Sequence, residues 1–185
     1  MTAPRHRAAV WLLLALALLL PWRSGLAADD LEQGLKVAYL YNFTRFIEWP
    51  AASLGENFEI AVIGDPVLAR ALRTLEQQDK QVQGHPIRIR SADSASQVDN
   101  AQILFIGAAA AGELSRLRAR TAGQPVLLVG DSPGFAKRGV AINFFLAQDI
   151  LGESRRLRFE INPKALADRQ LRVSAQLYDV AKIVR

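Results

Sequence analysis

The stretch ILFIGAAAAGELSRLRARTAGQPVLLVG, residues 103–130, decides the fold. Ile103-Leu-Phe-Ile106 is a short, continuously apolar run closed by Gly107. Ala109–Ala122 follows with helical spacing and turns Leu114 and Leu117 inward. Pro125-Val-Leu-Leu-Val129 is a second apolar run, closed by Gly130-Asp131-Ser132-Pro133. Runs that are apolar at every position suit strands buried on both faces. A strand, a helix and a strand in that order argue for a parallel sheet with helices packed on it.

The same alternation extends upstream. Phe58–Ile63 reads as a strand, Gly64-Asp65-Pro66 as a turn and Val67–Gln78 as a helix, with Asp65 as its cap and Pro66 in its first turn. Val82–Arg90 holds a Gly84-His85-Pro86 turn and a β-like Ile87–Arg90. Leu31–Trp49 reads as a helix stopped by Pro50. Its main stripe carries Leu31, Leu35, Ala38, Tyr39, Phe43, Phe46 and Trp49, with Asn42 in the middle. Apolar residues spread around most of its circumference, as in a helix sandwiched in a core or a homodimer interface.

Downstream, Val140–Leu146 and Leu157–Asn162 read as an antiparallel hairpin around a polar loop. Alternation sends Leu157, Phe159 and Ile161 inward and Arg158, Glu160 and Asn162 outward. It also points Phe145 opposite to Phe144. A final helix is expected from Pro163 to Ile183. The expected fold is α/β: one layered domain, residues 28–185, with a largely parallel central sheet flanked by helices, plus a C-terminal β-hairpin and helix.

Residues 1–27 read as a cleavable secretory leader. Arg5, His6 and Arg7 form a basic head, and Ala8–Leu20 is an apolar run of 13 residues. A membrane span needs about 20. Gly25 and Ala27 supply small residues for cleavage after Ala27. Loss of Arg5, Arg7 and Arg23 would leave 20 basic against 18 acidic residues, lowering the net charge from +5 to +2. That removes the electrostatic argument for nucleic-acid binding. The leader implies export.

Few catalytic or metal-binding arrangements are available. The chain has no cysteine and 2 histidines, one of them in the leader. This excludes disulfides and thiolate chemistry and leaves no convincing metal site. His85 reads as an exposed turn residue. Gly107 and Gly112 lack the rest of a dinucleotide fingerprint and read as close strand–helix packing. No cofactor is implied. Ligands in open α/β sheets bind beyond the carboxyl ends of strands, which draws attention to the Asp131–Gly139 loop. Asp131, Ser132, Lys137 and Arg138 could form a small-ligand or anion site there. The plainer reading is a short helix capped by Ser132 and ended by Gly139. Asn42, Asn143 and Asn162 sit among apolar residues and read as structural amides that pin loops or strands.

Several long motifs carry a resemblance. They are AYLYNFTRFIEWP at Ala38–Pro50, ILFIG at Ile103–Gly107, VLLVGDSPGFAKRGVAINFFL at Val126–Leu146, and RLRFEINPKAL with LRVSAQLYDVAKIV within Arg156–Val184. In order and spacing they resemble the YfiR/HmsC-like family of exported bacterial proteins. The resemblance implies a non-enzymatic periplasmic repressor. It would bind the sensor region of an inner-membrane diguanylate cyclase, lower cyclic di-GMP and oppose biofilm formation. An outer-membrane lipoprotein that sequesters the repressor is a further implied partner. The redox control discussed for disulfide-bearing members does not transfer to a chain without cysteine. The expected partner surface is the outward face of the terminal hairpin and last helix, with Phe145, Arg158, Glu160 and Arg172. The competing expectations are a periplasmic small-ligand module and an envelope-complex protein unrelated to cyclic di-GMP.

Overall fold

The computed structural model describes residues 24–149 and 155–184. The basic head and apolar run of the expected leader lie outside the described residues. Residues 33–185 form one compact unit, and the packing below belongs to it.

The first helix, α1, spans Ser24–Phe46. It ends three residues earlier than the sequence suggests, because Ile47–Glu48 leaves the helix as a short strand, β1. The buried line of α1 is Lys36, Leu40 and Phe43, continued by Ile47. These positions share a stripe at helical spacing. The stripe is rotated from the expected one, so Leu35, Ala38 and Asn42 face solvent. Asn42 is therefore not a buried structural amide.

The main sheet contains eight strands in the order β10-β8-β7-β6-β5-β2-β4-β3. They are β2 (Phe58–Ile63), β3 (Gln81–Val82), β4 (His85–Ala92), β5 (Ile103–Ile106), β6 (Leu127–Gly130), β7 (Ile142–Gln148), β8 (Arg155–Ile161) and β10 (Lys182–Ile183). From β4 through β7 every neighbouring pair is parallel. The β7–β8 pair is the expected antiparallel hairpin, and β10 runs parallel to β8. His85 opens β4, half-buried and paired with Val82, rather than standing free in a turn.

Two apolar layers cover this sheet. One joins Phe58, Ile60, Phe105, Phe144 and Phe159 to Leu40 and Phe43 of α1 and to Leu68 and Leu72 of α2, Pro66–Gln77. Tyr39 and Phe43 pack their rings against Phe144 and Phe159 with centroids 5.0–5.9 Å apart. The aromatic side of α1 is thus used within the chain. The other layer joins Ile63, Leu104, Ile106 and Leu128 to Leu114 and Leu117 of α3, Leu114–Arg120. The segment before α3 is a 3-10 stretch, Ala108–Glu113.

The start of α2 follows its sequence signals: Asp65 accepts from Leu68 N at 2.9 Å, and Pro66 is in the first turn. Gly64 and Gly107 let the loops after β2 and β5 touch. An added Cβ on Gly107 would lie 2.6 Å from the Gly64 carbonyl oxygen, a backbone atom that cannot yield.

The long final helix expected over Pro163–Ile183 is instead four short elements. These are α4 (Pro163–Ala167), β9 (Arg172–Val173), α5 (Ala175–Asp179) and β10. The break comes at Gln170, with φ of 58°. Helix propagation stops at a left-handed residue. The chain then extends to pair β9 with β1 in a separate two-stranded sheet. Among the described residues, no helix is long and apolar enough to cross a membrane.

Candidate functional site

The outward face of the β7–β8–β10 corner collects three of the four expected partner residues. Register sets Phe145 directly opposite Arg158 and Asn143 opposite Glu160. Residues at i and i+2 share a strand face, so Phe145, Arg158 and Glu160 lie side by side. The parallel pairing of β10 then places Lys182 beside Glu160. Its ammonium lies 3.0 Å from the Glu160 carboxylate and 5.3 Å from the Phe145 ring centre. Phe145 is half-buried and Arg158 exposed. Lys182 completes this patch, and nothing in the sequence singled it out. A β-strand after a short helix has no pattern as brief as two residues.

Arg172 does not join the patch. It lies in β9, where the two-stranded sheet sets it against Glu48 with a charge separation of 3.8 Å. Both side chains are exposed, so this pair contributes little to stability.

The edge of the corner is also distinctive. The short β10 pairs only with Glu160 and Ile161, so the outer edge of β8 from Arg155 to Phe159 has no strand beside it among the described residues. Such an edge offers unpaired N–H and C=O groups to another chain.

The Asp131–Gly139 loop does not form one site. Asp131 sits just past the carboxyl end of β6 and accepts from Lys36 Nζ of α1 at 2.9 Å. Both side chains are largely buried, at 5% and 15% exposure. The Lys36 ammonium also lies over Phe105, 5.9 Å from the ring centre. A second carboxylate oxygen of Asp131, the Ser132 hydroxyl and the Asn143 side-chain carbonyl are buried without a hydrogen-bond partner among the described residues. Ser132 is therefore not a side-chain cap. The short 3-10 turn begins at Ala136 and ends at Gly139, with φ of 88°.

The other half of the loop runs back along the sheet. Lys137 and Arg138 reach Ala122 and Gly123, which precede β6, and line a cavity of about 410 Å³ with Arg118, Lys164 and Arg169. The expected cluster is thus divided between two places, because the loop spans the length of β6 before β7 begins.

The three expected structural amides differ in their surroundings, Asn42 being exposed. Asn162 caps α4 by accepting from Ala165 N at 3.0 Å and donates to the Ala136 carbonyl at 2.8 Å. Asn143 lies in β7 between Gly130 of β6 and Glu160 of β8, 2% exposed, with its side-chain carbonyl unpartnered among the described residues. Among the described residues, no group of three or more His, Cys, Asp or Glu side chains could hold a metal ion.

A comparison with protein-family models matches residues 33–182 to the family described as YfiR/HmsC-like. No curated protein matches the chain.

Proposed function

The chain belongs to the YfiR/HmsC-like family, and from that premise we propose that it represses an inner-membrane diguanylate cyclase by binding the cyclase's periplasmic sensor region. The family implies a periplasmic regulator of diguanylate cyclase signalling rather than an enzyme. The family match over 33–182 is the observation that carries the reading. In this reading residues 1–27 are removed on export and residues 28–185 act in the periplasm. Bound repressor holds cyclic di-GMP low and disfavours biofilm, and an outer-membrane lipoprotein can draw the repressor away.

A repressor of this kind works by binding one conformation of its target more tightly than another. That requires a small number of anchors on an exposed surface. The Phe145–Arg158–Glu160–Lys182 patch supplies an aromatic anchor with the Lys182 ammonium over its ring and Arg158 opposite it in register. It adjoins an open strand edge, which supports partner binding through backbone pairing. Arg172 is left out of this surface.

The test is cellular cyclic di-GMP. Deleting the gene should raise it, and restoring the full chain should lower it. A version lacking residues 1–27 should fail to restore it. The folded Phe145→Ala, Arg158→Glu variant should also fail. No rise on deletion, with the cyclase expressed, refutes the repressor reading. Full repression by the folded variant refutes the surface.

A further inference from the structure

The basic cavity beside α3 and α4 is separate from the patch just described. Arg118, Lys137, Arg138, Lys164 and Arg169 contribute five positive charges to its lining, and Asp168 contributes one negative charge. Asp168 is already engaged by Lys164 at 2.7 Å. Among the described residues, Arg118, Lys137, Arg138 and Arg169 have no carboxylate within ion-pair distance.

Arg169 is the unusual member. It is only 7% exposed, and its guanidinium donates to the Thr121 carbonyl at 2.8 Å. A buried cation is costly unless a counter-charge compensates it. Burial, reinforced by the neighbouring Arg118 and partly opposed by Asp168, pushes its pKa down to about 10. Arg118 in turn lies against Gly139, where an added Cβ would come within 2.7 Å of its guanidinium. Arg138 rests over the Phe135 ring, 5.6 Å from the centre. Arg169 is fixed by burial, the exposed Arg118 and Arg138 reach the same cavity from its rim, and Asp168 is the one acid among the lining residues.

We propose that this cavity binds a phosphate ester, with Arg118 and Arg169 holding the phosphate and Lys137 and Arg138 closing over it. Guanidinium donors match paired phosphate oxygens better than they match a spherical halide. The cavity is of the size of small-molecule sites and exceeds what a lone phosphate fills. The ester is either a small soluble phosphate compound or a phospholipid headgroup; the chemistry recognised is the same.

The probes are sodium pyrophosphate, followed by calorimetry at fixed ionic strength in chloride, and phosphatidylglycerol vesicles, followed by co-sedimentation. The full folded protein should bind pyrophosphate saturably. Lys137→Gln with Arg138→Gln should weaken that binding about tenfold or more, since a charged hydrogen bond is lost at each position. Arg118→Gln should weaken it by a similar factor. Both changes keep Arg169 in place, and an unchanged melting temperature in chloride shows that the variants fold. Pyrophosphate binding without vesicle binding identifies a soluble ester. Vesicle binding that pyrophosphate displaces identifies a headgroup. No saturable pyrophosphate binding, or equal binding by the variants, overturns the site. Vesicle binding insensitive to pyrophosphate and to the substitutions also overturns it. None of these readouts involves a cyclase, so failure here leaves the repressor reading untouched.

Discussion

Replacing Lys36 with methionine should destabilise the protein by about 3 kcal/mol. The Lys36 ammonium and the Asp131 carboxylate are 2.9 Å apart, with side chains 5% and 15% exposed. Removing the lysine strands a largely buried carboxylate, one of whose oxygens already has no hydrogen-bond partner among the described residues. Breaking a fully buried pair costs about 3–5 kcal/mol, and the partial exposure of Asp131 places this case at the low end. A domain of this length loses about 2–4 °C of melting temperature per kcal/mol, so the shift should be about 6–12 °C. The second arm is Lys36→Met with Asp131→Leu. Replacing both charges by apolar groups is often close to neutral, so the double variant should recover most of the loss. Urea unfolding of the wild type, both single variants and the double variant closes the cycle. A Lys36→Met cost below about 1 kcal/mol would show that the pair is solvated. A double variant less stable than Lys36→Met would show that the charge is not what the single change exposes.

Two further outcomes follow from local geometry. Asn162→Ala should cost about 2 kcal/mol in urea unfolding, because it removes both the cap of α4 and the bond to the Ala136 carbonyl. Asn162→Asp keeps the accepting oxygen and should recover about half; equal loss in both variants would remove the cap from the account. Arg120 hydrogen-bonds Asp99 and holds its carboxyl below its ordinary value. The unfolded chain therefore binds that proton more readily, and the stabilisation is present above about pH 4 and lost as pH falls through the lower, folded value. Arg120→Gln should raise the Asp99 midpoint in a carboxyl NMR titration and flatten this acid-side slope. An unmoved midpoint would show that the pair does not form in solution.

The sheet was legible because its central strands are apolar at every position, a pattern that only burial on both faces explains. The cap at Asp65 and the alternation in β8 were equally direct, since each rests on one short-range rule. The buried face of α1 was misjudged because the large Tyr39 and Phe46 drew the stripe towards themselves. The spacing of Lys36, Leu40, Phe43 and Ile47 was present, but a lysine does not attract a reading as core. The end of the chain was harder. No glycine or proline marks the break at Gln170, and β9 forms only because β1 is available to pair with it. In the candidate ligand loop, closeness in sequence is not closeness in space, since the loop carries its two halves to opposite ends of β6. The basic cavity gathers residues from α3, the loop and α4, so no local pattern could reveal it.

The pairing of the first and last elements bears on how the protein becomes native. Tyr39 bonds the carbonyl of Leu157, 118 residues away, at 3.4 Å. The Phe46 carbonyl likewise waits for the amide of Ser174. Early-emerging α1 meets Phe58 and Phe105 first, but its Tyr39 and Phe43 rings gain Phe144 and Phe159 only when the hairpin has been made. Contacts this distant must bear the entropy of closing nearly the whole chain before they repay it. A chain threaded from its amino end would therefore remain incomplete through nearly all of its passage. Its last thirty or so residues act as the latch, and truncating them would strip Phe159 and the Leu157 and Ser174 partners from α1, leaving its aromatic side half-covered.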